Sequence, residues 1–148
     1  MLSNVVVEIG RAKKSGNEII VELGRSNIPA EQRNDWKEGF IIELDKEAHL
    51  PLDVLVNGRL ATKGFIMFDE KYFCVKIMEA LDGGANFEAG EIVKLDKETG
   101  FASEINNIQP FDFREKLSAD IFTDGKLAAK GSVKIIKGNF GVQIEEIL

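Results

Sequence analysis

One cysteine, one histidine, one tryptophan and one tyrosine are present among the 148 residues, and each scarcity closes off a class of function. A lone Cys74 permits neither an intrachain disulfide nor a thiolate zinc cluster. A lone His49 removes the usual pairs and triads of proton-transfer groups. Long apolar runs are missing too, and none approaches the ~18 residues that a membrane-spanning helix needs. The opening residues, MLSNVVVEIGRAKK, lack a basic stretch followed by an apolar core and a small-residue cleavage site, so they do not read as a signal peptide. Basic charge is in deficit, with 19 Lys and Arg against 25 Asp and Glu and a net charge of −6. Sequence-independent nucleic-acid binding needs the opposite balance, because it works by displacing counterions from phosphates. What remains is an ordinary folded composition, 44% hydrophobic and 30% charged. The expectation is a reduced, cytoplasmic protein of one domain, or of two small similar ones sharing a core.

The few chemical candidates read as structure. His49 lies in KEAHLPLD and is expected to be a structural or solvated residue. Cys74 sits inside the apolar run KYFCVKIME as a small buried hydrophobe. The acidic DKE triplets at 45–47 and 96–98 lack the spacing of a calcium loop and are expected to be solvated turns. GRLATKG (58–64) and GKLAAKG (125–131) have the glycines of a phosphate loop without its Gly-Lys-Ser/Thr ending or a following helix. These residues support no enzyme, cofactor, metal site or small-molecule substrate.

Repetition is the informative feature. Residues 51–81 align without a gap on residues 118–148, an offset of 67, with Asp53/Asp120, Gly58/Gly125, Lys63/Lys130, Gly64/Gly131 and Phe73/Phe140 among the identical pairs. WKEGFIIELDKE (36–47) repeats as FEAGEIVKLDKE (87–98) at an offset of 51. VVVEIGR (5–11) repeats as IIVELGR (19–25) at an offset of 14. Every piece occurs twice, but the shifting offsets exclude simple tandem beads. Within each long copy, Asn57-Gly58 and Asp124-Gly125 stand between alternating apolar runs, the strongest short signal for a β-hairpin. Each copy therefore reads as a three-stranded meander, too small to bury a core alone. Pro29–Trp36 is expected to form a helical turn or two.

VELGR, then EGFIIELDK, PLDVLVNGRLATKG and FCVKIMEAL, together resemble the SpoA (surface presentation of antigens) domain, found in the C-terminal part of flagellar motor switch proteins of the FliN and FliM type and in type III secretion C-ring proteins. The likeness covers residues 5–81 well, and LSADIFTDGKLAAKGSVKIIKGNFGVQIEEIL follows it a second time. The resemblance implies an all-β fold in which two domains intertwine as a barrel or saddle. Here one chain would build that pair as an internal pseudo-dimer, its halves 1–81 and 82–148 exchanging opening strands. It also implies a non-enzymatic adaptor in a motor switch or a secretion sorting platform, at the cytoplasmic face of the basal body or injectisome, with other switch or export-apparatus proteins as partners. The alternative is a stand-alone protein-binding module of the same type outside those machines.

Comparing the copies also suggests a binding face. Val54/Ile121, Leu60/Leu127, Ile66/Val133, Phe68/Ile135, Phe73/Phe140, Val75/Val142 and Ile77/Ile144 are apolar in both copies and should face the core. At the intervening outward positions the second copy has Ser132, Lys134, Gln143 and Glu145, where the first has Phe65, Met67, Lys76 and Met78. An apolar surplus on one outer face marks an interaction surface, and methionine suits adaptable contacts. The family's partner-binding patch maps onto Ile66, Met67 and Phe68, so the candidate site is Phe65, Ile66, Met67, Phe68 and Met78. Residues 100–116, with Phe101, Pro110, Phe111 and Phe113, are expected to pack as a cover or an edge strand. Arg11, Lys13 and Lys14 read as a short solvated basic turn, and Trp36, aligned with Phe87, as a packing residue.

Overall fold

A computed structural model describes residues 1–68, 72–79, 87–98, 109–110 and 117–148. Its elements are strands β1 (Leu2–Lys14), β2 (Asn17–Pro29), β3 (Ile41–Glu47), β4 (Leu52–Val56), β5 (Arg59–Phe68), β6 (Tyr72–Glu79), β7 (Ile92–Glu98), β8 (Gln109–Pro110), β9 (Ser118–Thr123), β10 (Lys126–Ile136) and β11 (Asn139–Ile147), with one 3-10 helix over Ala30–Asp35. The fold is all-β, and every described ladder is antiparallel.

The chain divides into two compact units. The first contains Met1–Ile9, Leu23–Leu50 and Lys116–Leu148; the second contains Gly10–Glu22 and Pro51–Glu115. Strand order in the first is β3-β11-β10-β9-β1, and in the second β7-β6-β5-β4-β2. Each unit thus mixes the copies. The second meander (β9–β11) takes its outer strand β3 from the first copy, and the first meander (β4–β6) takes β7 from the second. The hairpin arms β1 and β2 each serve both units, through Met1–Ile9 and Gly10 onward in β1, and through residues up to Glu22 and from Leu23 in β2. The offsets now have a cause. The whole first copy is threaded between β1 and the remainder of the second.

Details repeat with the sequence. Asn57 and Asp124 take φ of 49° and 50°, each followed by a glycine at 84° or 83°, which is the left-handed pair that a two-residue hairpin turn requires. Each side chain then reaches the neighbouring strand: Glu18 N–H donates to Asn57 Oδ1 (3.0 Å) and Asn4 N–H to Asp124 Oδ1 (3.1 Å). Arg25 N–H donates to Asp45 Oδ1 (2.8 Å) and Arg11 N–H to Asp96 Oδ1 (2.9 Å). The DKE triplets are therefore not solvated turns. Asp45 and Asp96 lie within β3 and β7, each accepting an N–H from a VE(L/I)GR strand of its own unit. Ile9, Val5, Val7, Ile121, Phe140 and Ile144 are fully or almost fully buried in the first unit, as are Ile19, Val21, Val54, Phe73, Val75 and Ile77 in the second.

Three β-bulges also occur in duplicate, and they explain where simple alternation fails. One extra residue falls at Ala61 between β4 and β5, and at Ala128 between β9 and β10. A bulge shifts the inside–outside count by one. Ala61 and Ala128 are therefore buried, while Leu60 and Leu127, expected in the core, are 52% and 42% exposed. Ile135, also expected inside, is 49% exposed, and its counterpart Phe68 is half-buried. The basic turn fails as well: residues 11–14 continue β1, and Lys14 Nζ is held by both carboxylate oxygens of Glu91 at 2.7 and 2.6 Å and lies 4.8 Å from the Phe87 ring centre. That hydrogen bond, with help from the backbone N–H of Glu88 and against the cost of burial, holds the Glu91 carboxyl below its ordinary pKa. The equivalent positions in the first unit are Ile28, Phe40 and Trp36, so one unit holds an ion pair where the other is apolar. Trp36 and Phe87 are both buried.

Candidate partner-binding surface

The proposed face is carried by β5 and β6 of the second unit. Their ladder pairs Gly64 with Ile77, Phe65 with Lys76, Ile66 with Val75, Met67 with Cys74 and Phe68 with Phe73. The register shifts between Lys63 and Gly64, leaving Met78 as the extra residue. Gly64 is required here, because a Cβ on it would lie 2.6 Å from both the Lys76 carbonyl oxygen and Val75 Cγ2. This close approach of the two backbones falls at the bulge that carries Met78.

Phe65 is 42% exposed and Met78 48%, while Met67 is half-buried. Ile66 is buried at 6%, and so lies beneath this face rather than on it. In the first unit Lys134 and Glu145 are exposed and Gln143 is half-buried, but Ser132 is buried and paired with Ser118. The polar and apolar versions of the face therefore differ in pairing as well as in composition. Of residues 100–116, only Gln109–Pro110 fall within the described residues. They form β8, which pairs antiparallel with β5 through Met67↔Pro110 and Phe68↔Gln109. Phe101, Phe111 and Phe113 lie outside the described residues.

Cys74 is fully buried. His49 is largely exposed, 3.4 Å from Glu47. Among the described residues no three of His, Cys, Asp and Glu converge as a metal site, and no helix is long and apolar enough to cross a membrane.

Residues 14–82 match the family model described as the Type III flagellar switch regulator (C-ring) FliN C-term. Residues 14–82 are thus similar to a FliN-type switch domain. That span comprises β2, the 3-10 helix and β3–β6, which is the complete first copy. The flagellar motor switch protein FliN of Borreliella burgdorferi is 39% identical over 64 residues, covering 43% of this chain and 57% of that protein. FliN of Pseudomonas aeruginosa is 33% identical over 63 residues, 43% of this chain and 40% of its own length. The flagellar motor switch phosphatase FliY of Bacillus subtilis is 41% identical over 63 residues, but these make up only 17% of FliY. The chain thus spans from less than a fifth to somewhat over half the length of these curated relatives. The second copy, with its early strand β1 and the long return from residue 87, falls outside the matched span and is recognisable through the internal repeat.

Proposed function

We propose that this protein is a non-enzymatic structural component of a flagellar motor switch, binding other switch or export-apparatus proteins through Phe65, Met67 and Met78, with Ile66 and Phe68 supporting the strand beneath. The observation that carries this reading is the match of residues 14–82 to the FliN C-terminal family, in a copy whose outer face is apolar where its internal twin is polar. FliY's named activity is that of a protein of which this chain matches 17%. A place at the cytoplasmic face of the flagellar basal body follows from the same reading. The two mixed units further support a single chain that does the work of a domain pair, folding as a monomer before any assembly.

The test is affinity capture from the native cells, with quantitative mass spectrometry on the wild-type chain and on the Phe65→Ser/Met67→Lys variant. Switch-ring or export proteins should be retained by the wild type and lost from the variant. Equal retention by both, or retention only of proteins unrelated to motility and secretion, would overturn the reading.

A further inference from the structure

Pro51 and Ser118 occupy equivalent positions in the two copies, and the difference has a structural consequence. Between β9 and β10 the ladder runs to Ser118↔Ser132, beyond which Val133 N–H donates to the Leu117 carbonyl (2.9 Å). Between β4 and β5 it stops one pair earlier, at Leu52↔Gly64. Pro51 has no N–H to continue a ladder. Phe65–Phe68 therefore run on past β4, and on that side β5 is met by β8 at Met67 and Phe68. Two of these residues, Phe65 and Met67, belong to the apolar surplus of the outer face.

We propose that this edge of β5 is a strand-addition site for an extended peptide segment of a partner protein, and that the chain's own Gln109–Pro110 occupies it in cis as a built-in competitor. The proposal rests on the reading of the β5 face as a partner-binding surface and adds how the partner binds and what it must displace. Strand addition draws affinity from main-chain hydrogen bonds and specificity from alternate side chains. Here Phe65 and Met67 are those alternate positions. A proline in the added strand fits an edge location, since it leaves one side of the strand without a donor. β8 is only two residues long, so it contributes no more than a couple of backbone hydrogen bonds. An incoming strand of five or six residues would form more of them and prevail. The edge is thus closed against weak encounters and open to a matching segment.

The test uses a labelled peptide with the sequence of residues 104–113, EINNIQPFDF, as the probe. It is titrated into the full chain and into a chain whose residues 104–113 are replaced by an equally long Gly-Ser segment. A tethered competitor acts at an effective concentration on the order of millimolar, so the replaced chain should bind the peptide at least tenfold more tightly. Amide exchange at Met67 and Phe68 should speed up in the replaced chain and slow again on adding peptide. Should that replacement impair folding, Gln109→Gly/Pro110→Gly in the full chain reads the same two quantities. A Phe68→Cys/Gln109→Cys pair, oxidised to lock β8 in place, should abolish peptide binding and recover it on reduction. A folded variant that binds the peptide no better than wild type, with unchanged exchange at Met67 and Phe68, overturns the proposal. Such a failure leaves partner loss in Phe65→Ser/Met67→Lys intact. Retention of switch partners by that variant would instead strike the functional reading.

Discussion

Replacing Phe65 by Ser and Met67 by Lys should separate binding from stability, and the burial of the two residues sets the margin. Fully burying a Phe or Met side chain is worth about 1.5–3 kcal/mol. Phe65 is 42% exposed, so just over half of that is at stake, or about 1–2 kcal/mol on truncation to Ser. Met67 is half-buried, and a lysine there can lay its stem along the same surface with the ammonium in water, at a cost below about 1 kcal/mol. The two positions are neighbours on one face, so the sum can depart from additivity by about 0.5 kcal/mol or more. The double variant should lose about 2 kcal/mol, or roughly 4–8 °C in Tm for a chain of this size. Ile66→Lys is the control. Ile66 is only 6% exposed, and an uncompensated charge there should cost several kcal/mol and largely unfold the unit. Thermal denaturation by circular dichroism and partner capture on the same samples decide the matter. If Phe65→Ser/Met67→Lys melts as early as Ile66→Lys, the residues are covered core. If it keeps its Tm and its partner, the face is exposed but idle. Either result refutes the interface.

Gly131→Ala should destabilise by several kcal/mol, because its Cβ would be driven into the Gln143 carbonyl oxygen at a bulge that cannot open without breaking the β10–β11 ladder; a drop in Tm no larger than that of an exposed Gly16→Ala would refute this. Asp124→Ala should cost about 1–2 kcal/mol through lost turn geometry at φ 50° and the lost bond from Asn4 N–H, whereas Asp124→Asn should be nearly neutral in urea titration. Lys14→Met should lower stability by about 0.5–1 kcal/mol at neutral pH. Since Lys14 depresses the Glu91 pKa, that stabilisation is present above the carboxyl's ordinary value and is lost as pH falls through the lowered one, so wild type and variant should converge in acid. Cutting the chain between residues 82 and 84 should yield halves that are unstable apart and refold on mixing, because β3 and β7 each pair with a meander from the other half; independently folding halves would refute the exchange.

Much of this fold is legible in local sequence, and the limit has a physical cause. The Asn-Gly and Asp-Gly turns, the buried alternation of Val54, Phe73, Val75 and Ile77 with their twins, the solvated His49 and the buried Cys74 all follow from nearest-neighbour chemistry. The candidate face, too, is drawn from the sequence, by comparing two copies of one meander, although Ser132, the counterpart of Phe65, proves buried. Pairing between distant segments is different. The repeats make β3 and β7 near-identical ligands for either meander, so sequence similarity is degenerate as to which one pairs with which. Only connection lengths and packing resolve it, in favour of exchange. The bulges are hidden for a related reason: Leu60 and Leu127 look like core residues until a ladder with one extra residue turns them outward. The carboxylates of Asp45 and Asp96 looked solvated because their partners are backbone N–H groups 20 and 85 residues away, although the joint duplication of GR and LD was a signal for it. Pro51 lies in plain view, but that it would end a ladder early and leave an edge for Gln109–Pro110 is a property of three strands together, decided only in the folded chain.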